Sequence, residues 1–201
     1  MNKIDLWNTT FEKFLPLLDG QDVSGPRAEG FRSIFDSLLS KKSNNFNIVE
    51  TGTVRVFDSF FEGCSTLLFS EFINIFEGSL ITIDINLEVQ QNAKKEIQSS
   101  NVSFVCENSL TALRKINLDE IDLFYLDSFD VDFNNDRKSA GHHFSEFKII
   151  EPFLKDCILA IDDNIINSNG ERSGKGRIIY EYLKDQGILS IYDNYTLVYK
   201  F

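Results

Sequence analysis

The sequence predicts an α/β fold: a doubly wound, mostly parallel seven-stranded sheet with a C-terminal antiparallel hairpin and an N-terminal helical cap. Three observations predict it. From Asn47 onward, short apolar runs rich in β-branched residues alternate with stretches of helical spacing. The run from Ile121 to Leu126 is almost wholly apolar, as in a strand buried on both faces. The chain ends in two apolar runs, Ile188 to Tyr192 and Tyr195 to Tyr199, about a polar Asp193-Asn194 turn, which is hairpin grammar.

Residues 1–45 precede the first strand and carry two helical patterns. Leu6, Phe11, Phe14, Leu15 and Leu18 form the first, ending at Asp19-Gly20; Phe31, Ile34, Phe35 and Leu38 form the second, after a first-turn Pro26. They are expected to pack against the domain, with a lid or an oligomer contact as the alternative. Asn47-Ile48-Val49 opens the first strand. Leu67, Leu68, Phe72, Ile75 and Phe76 mark a helix stopped by Gly78, and Leu80 to Asp84 is the second strand. A helix over Glu88 to Ser99, a strand over Val102 to Cys106 and a short helix with Leu110, Leu113 and Ile116 follow. After the Ile121–Leu126 strand come a polar loop (Ser128 to Gly141), a helix with Phe144, Phe147 and Ile150, and a fifth strand, Cys157 to Ile161. A second loop, Asn164 to Lys175, leads to a helix over Arg177 to Gln186. Neither repeat nor linker interrupts the pattern, so residues 46–201 are read as one domain carrying residues 1–45 with it.

The 201 residues suffice for one domain with a substantial core, and 19 of them are phenylalanine. A formal charge of −11 argues against a nucleic-acid partner, which needs a basic face. Three cysteines show neither a disulfide framework nor zinc spacing. There is no leader pattern and no run long enough to span a membrane, so the expectation is a cytoplasmic protein without a membrane partner.

Function is expected where the first strand ends. Glu50 closes that strand and Gly52 breaks it. A ten-residue excursion then leads to Gly63-Cys64-Ser65-Thr66 and a helix N-terminus with unpaired amide donors. In a doubly wound sheet the ligand lies beyond the carboxyl ends of the strands. Each predicted parallel strand delivers an acid there: Glu50, Asp84, Glu107, Asp127 and the pair Asp162-Asp163. Asp84 is placed to accept hydrogen bonds from vicinal ribose hydroxyls. Glu50, beside the glycine, suits a cationic group rather than a phosphate. A G-x-G-x-x-G dinucleotide fingerprint is missing, and Gly174-Lys175-Gly176 comes too late in the chain for a phosphate loop.

The order Val49-Glu50-Thr51-Gly52-Thr53, Gly63-x-Ser65-Thr66, Ile83-Asp84, Glu107-Asn108-Ser109, Leu126-Asp127-Ser128 and Ile161-Asp162-Asp163-Asn164 resembles the Rossmann-like S-adenosylmethionine-dependent methyltransferases. Within them it is most similar to the small-molecule O-methyltransferase branch that includes macrocin O-methyltransferase and cephalosporin-hydroxylase-like proteins. The resemblance spans roughly residues 46–201. It implies that Glu50, Gly52 and Thr53, with Ser65 or Thr66, hold the methionine end of the cofactor. By the same resemblance Asp84 binds the ribose, Asn108 and Ser109 flank the adenine, and Asp127 lies beneath the sulfonium and the substrate. The excursion from Val54 to Glu62, with Arg55, Asp58, Phe60 and Phe61, is longer than the family's usual loop.

Two further constellations follow. If the fourth and fifth strands are neighbours, their ends lie about 4.8 Å apart. Asp127, Asp162 and Asp163 could then chelate one hard divalent cation such as Mg2+, against the plainer reading of a strand-terminating turn. His142-His143, the only two histidines, open the next helix and could supply a base. The cations of the flanking loops, Arg137, Lys138, Arg172 and Lys175, could recognise an anionic substrate. The combined expectation is an S-adenosylmethionine-dependent O-methyltransferase acting on a small hydroxylated molecule such as a sugar or glycoconjugate, with or without a divalent metal. A homo-oligomer is compatible with it. The alternatives are a hydroxylase-like enzyme or a binding module on the same scaffold, and less favourably an NAD-dependent oxidoreductase.

Overall fold

The computed structural model describes residues 1–19, 27–42, 44–57 and 64–201. The expected Gly20 stop, the first-turn Pro26, Gly63 and the loop residues Asp58, Phe60 and Phe61 lie outside the described residues.

The main sheet has seven strands in the order β3-β2-β1-β4-β5-β9-β8. Five of them, β1 (Phe46–Thr51), β2 (Gly78–Asp84), β3 (Val102–Cys106), β4 (Leu123–Leu126) and β5 (Ile158–Ile161), run parallel. β9 (Leu197–Lys200) is antiparallel to β5, and β8 (Tyr192–Asp193) is antiparallel to β9. Winding reverses between β1 and β4, so the crevice at their carboxyl ends is the topological switch point. The fold class is the one the sequence predicts.

Alternation along the strands builds a core on each face. Ile48, Leu80, Leu123, Tyr125, Ile158 and Ala160 point to one side; Val49, Ile83, Phe124, Leu126, Leu159 and Ile161 point to the other. The first side is covered by α1 (Lys3–Asp19), α2 (Arg27–Lys41), α3 (Ser65–Phe76) and α4 (Leu87–Glu96). The second side is covered by α5 (Ser109–Ala112), α6 (Arg137–Ile150) and α7 (Arg177–Asp185). Most of the phenylalanine excess is explained on the first side. Phe11, Phe31, Phe35, Phe46, Phe69, Phe72 and Phe76 gather there around Trp7, whose ring lies 4.5 Å from Phe35 and 5.0 Å from Phe72. α1 and α2 are thus part of the layer that buries this face rather than an appendage to it. Helical spacing put Leu6 on the buried stripe, but Leu6 is exposed and its neighbour Trp7 is buried.

Local differences from the predicted elements are confined to edges and loops. The fourth and fifth strands begin at Leu123 and Ile158, later than the apolar runs do. The short helix after β3 is a single turn. α6 begins at Arg137, inside the expected loop. The segment 164–175 folds into a hairpin, β6 (Asn164–Ile166) and β7 (Arg172–Gly174), turned at Gly170 with φ +78°. The C-terminal reversal falls at residues 194–196, because Asp193 pairs with Leu197. No described helix is long and apolar enough to cross a membrane.

Candidate active site

Thr51 ends β1, and Gly52 follows with φ +90°; a Cβ there would lie 2.4 Å from the Asp127 carbonyl oxygen. The close approach that demands glycine is therefore the chain's own β4 terminus. Thr53 then donates its amide to Asp84 Oδ2 at 3.3 Å, so the ends of β1, β2 and β4 are tied around this turn. Beneath it, Glu50 is fully buried. Its Oε2 accepts from Thr66 Oγ1 and Thr82 Oγ1, each at 2.7 Å, while Oε1 has no partner. Burial pushes the Glu50 carboxyl up to about 7, against the lowering effect of the Ser65, Thr66 and Thr82 hydroxyls. Thr66 Oγ1 in turn accepts from the Val54 amide at 2.9 Å. Glu50 and Thr66 thus support the turn from below and line neither cavity described next, whereas Thr53 and Ser65 reach the surface of one.

Two cavities adjoin the switch point. One, of about 190 Å³, is lined by Asp84, Ile85, Asn108, Ser109, Phe129 and His142 among others. Asn108 caps α5 by accepting the Leu110 amide at 3.1 Å. Ser109 Oγ lies 3.0 Å from His142 Nε2, so this hydroxyl turns toward α6. His142 also lies 3.3 Å from Glu146 Oε1, and its ring sits 5.3 Å from that of Phe129. Acid, amide and two flat rings on a mostly apolar wall suit a nucleoside.

The other cavity, of about 120 Å³, is polar, and Arg27, Arg55, Asp127, Asp130, Asp163 and Lys175 contribute to its lining. Its charges come in opposed pairs. Arg55 Nη1 lies 2.9 Å from Asp130 Oδ1, bridging two loops across the opening. The Lys175 ammonium stands between the carboxylates of Asp127 and Asp163, 2.6 Å from Asp163 Oδ2 and in contact with Asp127 Oδ1. Asp163 also accepts the Tyr195 hydroxyl. Burial raises Asp127 to about 7; Lys175 lowers it, while Asp162 and Asp163 raise it. Burial acts on Asp163 in the same sense, but Lys175 and Tyr195 hold it below the usual range. Burial would lower the Lys175 ammonium, and the two carboxylates raise it instead. The cavities touch where Asp127 lines one and Ser128 the other.

The expected metal set is corrected by this geometry. Asp162 is fully buried and faces away from the pair, with Oδ2 2.5 Å from Arg27 Nη2 and Oδ1 accepting Thr196 Oγ1 at 2.8 Å. The space between Asp127 and Asp163 holds an ammonium. The residues present do not fit a divalent ion, and no group of three acids, histidines or cysteines among the described residues could hold one.

The histidine pair is also corrected. Both sit one to two turns inside α6 rather than at its start. His143 is fully buried, its Nδ1 donates to the Ser139 carbonyl at 2.7 Å, and burial pushes it down to about 4. It is a neutral core residue that lines neither cavity. Of the two, only His142 reaches the site, in the cavity lined by Asp84 and Asn108. The four loop cations do not converge either. Arg137 and Arg172 line a separate groove of about 920 Å³, where Arg177 forks onto Asp136 at 2.8 and 3.0 Å. Lys138 is exposed, and Lys175 alone enters the site.

Sequence reasoning missed Arg27 and Thr82, and gave Lys175 no specific role. A signal for Lys175 was present in Gly174 and Gly176 on either side of it. A Cβ on Gly174 (φ +126°) would lie 2.1 Å from the Asp163 carbonyl, and one on Gly176 2.6 Å from Leu197. These glycines let the lysine-bearing strand close against the end of β5.

No protein-family model matches the chain, and no curated protein matches it. Solved structures do. The human methyltransferase 10 domain containing protein superposes with TM-score 0.55 at 12% identity, over 98% of this chain and 97% of its own. Burkholderia thailandensis 1,6-didemethyltoxoflavin-N1-methyltransferase, with 1,6-didemethyltoxoflavin and S-adenosylhomocysteine bound, gives TM-score 0.51 at 11% identity over 100% of this chain and 90% of its own. An rRNA methylase from Streptococcus thermophilus gives 0.53 at 9% identity over 85% and 96%. At such identities the likeness establishes the α/β fold of methyltransferases.

Proposed function

We propose that the protein is an S-adenosylmethionine-dependent O-methyltransferase acting on a small hydroxylated molecule, with a sugar or glycoconjugate as the first class to screen. The observation that carries this reading is the pairing of cavities at the switch point. A nucleoside-shaped wall with a ribose acid, Asp84, adjoins a cavity whose charges alternate in sign. A ligand with adenosine at one end and a zwitterionic amino acid at the other matches both. The scaffold is shared with methyltransferases, one of them holding S-adenosylhomocysteine.

In this reading Asp84 accepts the ribose hydroxyls, Asn108 and His142 border the adenine, and Thr53 and Ser65 meet the methionine end. Glu50 and Thr66 hold the turn in place from beneath. Asp127, at the junction of the cavities, faces the sulfonium. Its carboxyl, poised near 7, takes the proton of the attacking hydroxyl. The rest of the rate comes from in-line positioning. The formal charge of −11 favours a small acceptor over RNA. A reducing, cytoplasmic setting accords with three cysteines free of disulfides.

Calorimetric titration with S-adenosylmethionine, S-adenosylhomocysteine and NAD tests the reading. The expected result is binding of both sulfur ligands, weakened at least about tenfold by Asp84→Ala, a loss of ~1.4 kcal/mol. Binding of NAD alone, or of none of the three by a folded protein, would overturn it. Transfer of labelled methyl to hydroxylated acceptors then identifies the substrate.

A further inference from the structure

The mismatch between the acidic trio and a metal leads one step further, resting on the methyl-transfer reading above. We propose that Lys175 is a resident cation standing where a divalent ion would sit. The acceptor half of the site is then complete without metal, and the acceptor hydroxyl meets an ammonium.

Three oxygens surround Lys175 Nζ: Asp127 Oδ1, Asp163 Oδ2 at 2.6 Å and the main-chain oxygen of Asp127 at 3.5 Å. This is the kind of all-oxygen half-shell that hard cations occupy, supplied by the ends of adjacent strands. The side chain is only 3% exposed, yet it lines the cavity beside Gly52 and Thr53. An ammonium has three donors. The two carboxylates take two, and the third makes only a long hydrogen bond, 3.5 Å, to the Asp127 carbonyl. An oxygen in the cavity can displace that long bond and take the third donor.

The placement is built. Tyr195 anchors Asp163 from the far side, and the glycines at 174 and 176 let the lysine backbone pack against β5 and β9. The charge count points the same way. Among the described residues Asp127, Asp162 and Asp163 are ion-paired with Arg27 and Lys175, while Arg55 of the same cavity is paired with Asp130, so three carboxylates against two cations leave one negative charge in surplus for the sulfonium. A divalent ion in place of Lys175 would remove that surplus.

In the resulting step the acceptor oxygen attacks the methyl carbon. An O–C bond forms and the C–S bond breaks, its electron pair returning to sulfur to give the neutral thioether. The hydroxyl proton passes to the Asp127 carboxylate. Lys175 donates a hydrogen bond to the oxygen throughout, the part a metal would otherwise play.

Mn2+ is the probe, read by electron paramagnetic resonance of the free ion, with S-adenosylhomocysteine titrated in parallel. Wild type is expected to leave Mn2+ free. Lys175→Ala is expected to gain Mn2+ binding and to lose it again on adding Asp163→Asn. Lys175→Asn, which keeps a polar oxygen in the gap, serves in the same way if the alanine variant does not fold. Mn2+ held by wild type at this site, or no gain in a folded variant that still binds S-adenosylhomocysteine, would overturn the proposal. Failure of wild type to bind S-adenosylhomocysteine would instead strike the methyl-transfer reading and leave the Mn2+ result to judge Lys175.

Discussion

Asp127 Oδ1 and Asp163 Oδ2 share the ammonium of Lys175, one at the end of β4 and one just past the end of β5. A single cation cannot fully compensate two half-buried carboxylates, and Asp127 is left with its carboxyl near 7.

That residual proton is expected to be displaced by a sulfonium. Binding of S-adenosylmethionine should release up to one proton near pH 6 and should tighten from pH 6 to 8, by at most about tenfold per unit. The neutral thioether S-adenosylhomocysteine should show much the smaller dependence. Calorimetry in two buffers of different ionisation enthalpy reads the proton count. Equal proton release for both ligands would contradict the placement of Asp127 against the sulfur.

Glu50 gives a separate prediction about stability. Its carboxyl is raised from 4.5 to about 7 by burial. Between those values the folded state binds a proton that the unfolded state does not, so stability falls as pH rises through this window. The full effect is on the order of 3 kcal/mol. Glu50→Gln should flatten the decline of the unfolding midpoint between pH 5 and 8. An unchanged slope in denaturant melts would show that Glu50 is not the group responsible.

The histidines should separate cleanly. His142→Ala removes a ring from the nucleoside wall and is expected to weaken S-adenosylhomocysteine about tenfold, ~1.4 kcal/mol, with little change in melting temperature. His143→Ala leaves a buried gap beside Glu146 and the Ser139 carbonyl. It should cost about 2–4 kcal/mol of stability with the ligand affinity of the folded fraction intact. The reverse pattern would exchange their roles.

Trp7 joins α1 to the aromatic layer through Phe35 and Phe72. Trp7→Ala is expected to destabilise by about 3–5 kcal/mol, measured by urea unfolding. A cost under 1 kcal/mol would mean that α1 contributes little to the face it covers.

How much of this was legible follows from where the signal lives. The parallel sheet could be read because buried strands must be apolar on both faces, as Ile121–Leu126 shows. The acids at the strand ends could be read because position after a strand fixes which rim a residue joins. Which acid faces a ligand and which is neutralised from behind could not be read. Asp162 and Asp163 are adjacent in sequence but turn to opposite partners, Arg27 and Lys175. Those partners lie 135 and 12 residues away, and nothing around the two aspartates announces them. The hairpin at 164–174 was read as a loop, although Asn169-Gly170 between Ile165-Ile166 and Arg172-Ser173 carried a reversal signal. The His143 environment was not, because burial of a polar residue depends on the neighbouring layers.

Arg27, near the start of the chain, and Tyr195 with Thr196, near its end, meet at the same two aspartates. During synthesis Asp162 and Asp163 therefore emerge before three of the groups that satisfy them, Lys175, Tyr195 and Thr196. Until the final antiparallel strand docks beside β5, the carboxylates at the tip of that strand lack the Tyr195 and Thr196 hydroxyls. A competent pocket needs both α2, through Arg27, and the turn before β9, through Tyr195 and Thr196, docked at the end of β5, so ligand capture reports closure of the whole sheet.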